Sequence, residues 1–271
     1  MKQFFLKCWA YGCGCVMTGI ILLLFVYVFW QGRDVISLSF LLDYPKGTPL
    51  GTEGGIFPAI VGSIFISLIA AISASVCAIA LALYMTYYCA MPGIASVLRF
   101  LVQCFSGIPS IVLGLFGYTF FLMQLGLPRS VLSAGMTLAI MIIPFIALRV
   151  EKILVEFPAS QLQSSLALGV SLEYTIRHIV LPQRLQEIAS TIALATAYAM
   201  GATAPIMFTG AVLYYGHVPA ITDPFMALPY HLYVLANEGY SLPMAYGTAF
   251  VLMALVLGIT VCCQRIGRRR I

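Results

Sequence analysis

The chain is 271 residues long, 62% hydrophobic and only 8% charged, with a formal net charge of +5. A soluble domain is nearer half apolar and a quarter charged, so this chain lacks the charge to cover a water-facing surface and reads as an integral membrane protein. That composition excludes a disordered chain, a disulfide-stapled secreted domain and a nucleic-acid binder.

Six stretches approach the roughly 20 apolar residues that a helix needs to cross a bilayer. In chain order they fall at about 12–30, 60–87, 97–125, 131–148, 188–213 and 243–263. Helix is the expected element, because lipid leaves no partner for an unpaired backbone group and barrel strands would alternate with a short period. Lys2 and Lys7 precede the first stretch as in a signal peptide. Its apolar core is too long for one, and no small-x-small site precedes Gln31, so a retained anchor is expected. Residues 31–59 carry Gly, Pro and Asp and read as an irregular external turn. The third stretch is interrupted by Gly107, Pro109, Gly114 and Gly117, the fourth holds Pro144, and the fifth is broken by Gly201 and Pro205. The loop 214–242 has no Lys or Arg and holds His217, Asp223, His231 and Glu238. Without a close ligand pair it reads as a wet loop facing a partner rather than a metal site. The eight cysteines show no C-x-x-C spacing and read as small packing or lipid-facing residues.

Six spans put both termini on one side of the membrane. That side collects eleven of the fourteen Lys and Arg residues, the other only Arg33, Lys46 and Arg129. The positive-inside rule makes the basic side cytoplasmic. The tail from Arg265 through Arg268, Arg269 and Arg270 then reads as a topology anchor. The chain divides into 1–59 (first span and outer loop), 60–263 (a core of five spans) and 264–271 (basic tail).

The cytoplasmic stretch 151–185 is the most informative. After Pro158, Leu162, Leu166, Gly169 and Val170 recur at three-to-four spacing among Gln161, Gln163, Ser164 and Ser165. Such a piece is too short and polar to span, and suits a membrane surface or a partner's groove. Gly169 breaks it, and Leu181-Pro182 is expected to stop the next helix. The result is a short, stiff lever joined to two membrane helices.

Here the sequence resembles a known family. Permease subunits of binding-protein-dependent ABC importers share the pattern E-A-A-x-x-x-G-x(9)-I-x-L-P, and Gly169, Ile179, Leu181 and Pro182 stand at the matching spacing. Gln163, Ser164 and Ser165 occupy the Glu-Ala-Ala positions and depart from it. SGIPSIVLGLFGY, at 106–118, is similar to the S-G-V-P-S-x-x-x-G-L-F-G signature of phosphate permeases. GATAPIMFTGA, at 201–211, is similar to their G-E-T-A-P-L-L-F-T-A, and with ALPYHLY at 227–233 it resembles the PstA-like subunit in particular. The resemblance implies an all-α membrane protein, the type I ABC importer permease, with six transmembrane helices and a cytoplasmic coupling helix between the fourth and fifth. It implies a PstC-like second permease forming a heterodimer, two copies of an ATP-binding subunit that hold ATP and Mg, an extracytoplasmic substrate-binding protein, and the bacterial inner membrane. It assigns the coupling role to Gln163, Ser164, Ser165, Gly169, Ile179, Leu181 and Pro182. The broken third and fifth spans supply the candidate translocation path: Ser106, Gly107, Pro109, Ser110, Tyr198, Gly201, Thr203, Pro205 and Thr209.

One departure bears on the substrate. The family commonly reads R-A-x-G-E-T in the fifth span, where this chain has Tyr198 and Ala202 in place of Arg and Glu. Both members of an intramembrane charge pair are gone together, which electrostatics favours over losing one. Positions i and i+4 share a helix face, so Tyr198, Ala202, Pro205 and Thr209 are expected to line one stripe. No phosphate-cradling G-x-x-x-x-G-K-[ST] loop is present, and no triad or carboxylate pair suggests an enzyme. A motor in a separate subunit is therefore expected. The alternatives are a permease for tungstate, molybdate or sulfate, a non-transporting phosphate sensor, and, ranked last for want of intramembrane charges, an ion-coupled carrier.

Overall fold

Helices α3 (Phe57–Leu83) and α6 (Val131–Val155) cross at the centre of the computed structural model, which describes residues 2–47, 53–214 and 216–268, with backbone alone at 2–5, 264 and 266–268. Every fourth residue of α3 from Ile66 onward is buried, and four of the five are alanine: Ala70, Ala74, Ala78 and Ala82. Lipid offers no hydrophobic drive for helix association, so close backbone approach along a small-residue stripe supplies the packing energy. Across from it α6 buries Ala134, Leu138, Ile142, Ile146 and Val150, again at three-to-four spacing. The other helices surround this pair. They are α1 (Lys2–Gly32), α2 (Leu38–Leu42), α4 (Pro92–Ser106), α5 (Ser110–Gly117), α7 (Ala159–Ala167), α8 (Leu172–Thr175), α9 (Leu181–Met200), α10 (Ala204–Thr209), α11 (Leu228–Asn237) and α12 (Leu242–Arg268). Helix α3 runs on to Tyr88 and α5 to Gln124 as wider i→i+5 turns.

Four of these helices are long and apolar enough to cross a membrane, or five if a bent pair counts as one span. The bent pair is α4 with α5, which meet at 96°. The third stretch is thus broken rather than straight, because Gly107 ends α4 and Pro109, lacking an N–H and forcing Ile108 out of the helical region, starts α5 afresh. The fifth stretch divides into α9 and α10 at residues 201–203. Helix α1 packs only its last turns, setting Tyr27 against Tyr246 and Phe29 against Phe250 on α12.

The loops 31–59 and 214–242 are more ordered than their composition suggests. In 31–59, Ser37 caps α2 through its side chain and strands β1 (Pro45–Lys46) and β2 (Glu53–Gly54) form a two-residue hairpin, residues 48–52 lying outside the described set. Phe40 and Ile56 anchor this loop in a second apolar cluster with Met226, Leu228 and Leu235. In 214–242 the chain caps α6, since the first-turn N–H groups of Val131 and Leu132 donate to the carbonyls of Asp223 and Ile221 at 3.0 Å each. His231 is not in a wet loop. It is 1% exposed on α11, with Nδ1 3.3 Å from the Thr248 hydroxyl of α12. Of the basic tail, Arg269 and Arg270 lie outside the described residues, and Arg265 is exposed.

Helix α6 continues to Val155, past the expected end at 148, and carries Glu151 into the core. Arg99 of the otherwise exposed α4 meets it, with Nε 3.0 and 3.2 Å from the two carboxylate oxygens and Nη2 also bonded. The Glu151 side chain is 5% exposed and that of Arg99 44%.

Breaking a buried pair by removing one partner costs about 3–5 kcal/mol, and less where the other partner reaches solvent. Arg99→Ala is therefore expected to lower the thermal midpoint in detergent by about 5 °C, using roughly 2–4 °C per kcal/mol for a chain of this size. Adding Glu151→Gln should recover at least half of that loss. A second expectation concerns acid. Helix α11 is not among the candidate spans, and burial lowers the His231 pKa from 6.5 to about 4. The unfolded chain then takes the proton first, so stability is complete above about pH 6.5 and falls as the pH drops toward 4. The midpoint should decline between pH 7 and pH 5, and decline less in His231→Gln.

Candidate functional site

The lever is built by caps rather than by a core. Phe157 is buried, and Pro158 in extended conformation starts α7. Arg184 of α9 secures this corner. Its guanidinium donates to the Glu156 carbonyl at 3.0 Å, pairs with Glu187 at 2.7 Å and lies 5.8 Å over the Phe157 ring. At the far end α7 closes in a Schellman motif: Gly169 N–H donates to Leu166 O and Val170 N–H to Ser165 O. Gly169 takes φ +79°, a left-handed conformation that glycine adopts without the Cβ penalty. Ser171 then caps α8.

The candidate coupling residues divide between two roles. Gln163, Ser164 and Gly169 are exposed, as is Leu168 at the tip, 83% accessible. Ser165 is buried, and its hydroxyl lies 2.8 Å from that of Thr175. Thr175 donates to Ser171 O, so Ser165 is the donor between the two hydroxyls and ties α7 to α8. Ile179, Leu181 and Pro182 belong to a joint. The helix does not stop at Leu181-Pro182 but runs on from α8 through a wider turn, Ile176–Val180, into α9. Leu181 N–H reaches back five residues to Ile176 O. The ladder slips by one acceptor next to a proline that has no donor to give, so the helix continues at little cost.

The two broken spans meet. A Cβ on Gly114 of α5 would lie 2.8 Å from the Ala204 carbonyl of α10, so only glycine allows this approach. Residues 106–110 and 198–204 come to one side as a result. Ser106, Ser110 and Tyr198 line a cleft of about 470 Å³ with Pro144, Phe145 and Arg149 of α6. Ser110, Tyr198, Gly201, Ala202 and Thr203 line an adjoining cleft of about 610 Å³ that reaches Leu252 of α12. Gly107 and Pro109 form the exposed turn beside them. Tyr198 is 60% exposed. Pro205 and Thr209 do not join this group. Both are buried, and the Thr209 hydroxyl is spent on the Pro205 carbonyl at 2.8 Å. The expected stripe ends at Ala202, because the helix breaks before Ala204 and α10 turns its other residues inward.

Arg149 and Lys152 were not foreseen as lining residues, since the spacing alone suggests a span ending at 148. The signal was present in Val150, Ile153 and Leu154, which continue the three-to-four burial pattern of α6. The clefts offer hydroxyls, open backbone near the two breaks and two cations at one end. Hydroxyl and cationic donors of this kind make their strongest hydrogen bonds to ionised oxygens.

Residues 78–269 match the family described as "Binding-protein-dependent transport system inner membrane component", and the chain belongs to that family. It is 27% identical over 255 residues to "Phosphate transport system permease protein PstA 2" of Mycobacterium tuberculosis, covering 92% of this chain and 83% of that one. It is 27% identical over 214 residues to "Probable phosphate transport system permease protein PstA" of Methanocaldococcus jannaschii, covering 78% and 75%. Among solved structures, an inward-facing MetNI methionine ABC transporter chain shares the fold with a TM-score of 0.64 at 21% identity, covering 79% of this chain and 96% of that one. The chain is thus a multi-pass ABC importer permease of PstA type.

At Gly169 a Cβ would meet nothing within 4 Å, so the cost of substitution is conformational alone. Gly169→Ala is expected to destabilise the close of α7 by about 1 kcal/mol. Amide exchange over 159–170 should then quicken roughly fivefold, with Gly169→Asn closer to the parent.

Proposed function

We propose that this chain is the PstA-like permease subunit of an ATP-driven importer of inorganic phosphate. In this reading α9 with α10 makes the fifth of six spans, and both termini are cytoplasmic. Residues 60–263 form the transporting core, preceded by the first span and outer loop at 1–59 and followed by a basic tail at 264–271. Helix α7 is the coupling helix. It docks into one of two ATP-binding subunits, which hold ATP and Mg. A PstC-like permease completes the pathway, and an extracytoplasmic binding protein delivers the anion. The chain itself carries no reaction.

One observation carries this reading. Helix α8, its wider turn and α9 are continuous from Leu172 to Met200, a rod of roughly 40 Å at 1.5 Å per residue. The exposed lever sits at one end, and Tyr198, facing both clefts, sits at the other. A push on α7 would reach this rod through the capped turn 168–171 and the Ser165–Thr175 hydroxyl contact, and so move the cleft wall. A second reading takes its support from the uncharged Tyr198 and Ala202: import of another oxyanion such as tungstate, molybdate or sulfate, or phosphate sensing without transport.

The test is labelled-phosphate uptake by membranes holding the complete transporter, with and without ATP hydrolysis. ATP-dependent uptake is expected, and Leu168→Glu should lower both uptake and ATPase co-purification about tenfold, as loss of a central apolar anchor does. Uptake of tungstate, molybdate or sulfate in place of phosphate favours the other oxyanions, and an assembled complex with no uptake favours the sensor.

A further inference from the structure

Arg149 stands on α6 two helical turns below Met141, inside the cleft that Ser106, Ser110 and Tyr198 also line. Among the described residues it has no ion-pair partner, whereas Arg33, Arg99 and Arg184 each have one. Lys152, one turn further along, lines the same cleft and reaches Glu156 only at 3.9 Å. No Asp or Glu lines this cleft. A neighbouring cleft of about 400 Å³, which Arg149 and Lys152 also border, carries Glu156 and Glu187. Carboxylates therefore lie on one side of Arg149 and line none of the other.

The remaining walls suit an anion held by charge. Phe105, Leu113, Met141 and Phe145 give the cleft apolar walls, and the exposed Arg149 and Lys152 stand where an anion arriving from solvent would meet them. A guanidinium presents a planar fork that matches two oxygens of a tetrahedral oxyanion. Tyr198, Ser106 and Ser110 add hydroxyl donors. Pro109 caps α5 without a side-chain bond, and its carbonyl accepts from Val112 and Leu113, which leaves the N–H groups of Ser110 and Ile111 without an intrahelical acceptor.

We propose that this cleft is a phosphate-type oxyanion site in which Arg149, flanked by Lys152, supplies the charge and Ser106, Ser110 and Tyr198 supply the hydroxyl donors. The assignment deepens the importer reading by naming the groups that hold its cargo. A free phosphate ion and a lipid phosphodiester share the recognised chemistry, so the test separates them.

The experiment follows the thermal midpoint of the full chain purified from membranes in neutral detergent, in inorganic phosphate against chloride at equal ionic strength. Near saturation the wild type should gain about 3 °C. Arg149→Gln should gain none, Arg149→Lys at least half, and Lys152→Gln an intermediate amount. The midpoints in chloride report whether each variant has folded. The same comparison in nanodiscs of phosphatidylcholine, with and without phosphatidylglycerol, identifies the source. A gain from inorganic phosphate assigns the free ion. A gain from phosphatidylglycerol alone, again lost in Arg149→Gln, assigns a lipid headgroup. The proposal falls if Arg149→Gln gains as much as the wild type, if Arg149→Lys gains nothing, or if neither ligand shifts the wild type. Wild-type uptake distinguishes this from failure of the importer reading. Arg149-dependent stabilisation without any uptake removes the importer and leaves the site, and uptake without Arg149-dependent stabilisation removes the site and leaves the importer.

Discussion

Close approach of α3 and α6 through small residues is the constraint on which the other features depend. A bilayer gives apolar side chains no reason to leave it, so an alanine every fourth residue along α3 does what leucine would do in water. The approach sets α6 in the packed centre of the molecule. Once α6 is fixed, its far end is held too, and Glu151 enters the core only because Arg99 comes from α4 to meet it. That pairing seats a helix with no buried residue of its own. The bend at Gly107 and Pro109 lets both α4 and α5 pack against the anchored α6.

The two helix breaks have one physical explanation. Irregular backbone inside a membrane protein is tolerated where it lines a cavity or is covered by protein. Residues 107–109 and 201–203 are held on the same side by the contact of Gly114 with Ala204, and the clefts form there. Neither break would be stable alone against lipid. Their mutual approach explains why a glycine and a proline occur in both spans, at positions far apart in the chain.

Much of this was legible in the sequence. Hydropathy placed the long helices, and Gly169 at its spacing from Leu181-Pro182 marked the lever. Illegible were the features decided by partners distant in sequence. Proline at 182 reads as a stop because the slip in hydrogen bonding that accommodates it leaves no mark in residue type. His231 reads as a loop residue because its burial depends on Thr248 and on the second apolar cluster. The loop 31–59 reads as irregular because its anchors, Phe40 and Ile56, stand far apart in the chain and show no periodicity. Glu151 and Arg149 read as loop charges because charged residues normally end a span, whereas here one is paired and the other faces a cleft.

The placement of charge and of mobility then fits together. Helix α9 continues from the lever and carries Tyr198, a neutral group, to the cleft. Helix α6 belongs to the packed centre and carries Arg149 to the same cleft. Moving a charge within a low-dielectric wall costs desolvation at every position along the way, whereas moving a hydroxyl costs far less. In the proposed site the cations sit on α6, Ser106 and Ser110 on α4 and α5, and Tyr198 alone on α9, so a movement of α9 would change one hydroxyl contact of the anion without moving its counter-charge. On the proposed reading, neutral residues at 198 and 202 keep charge off the helix that would move, while Arg149 keeps it on α6.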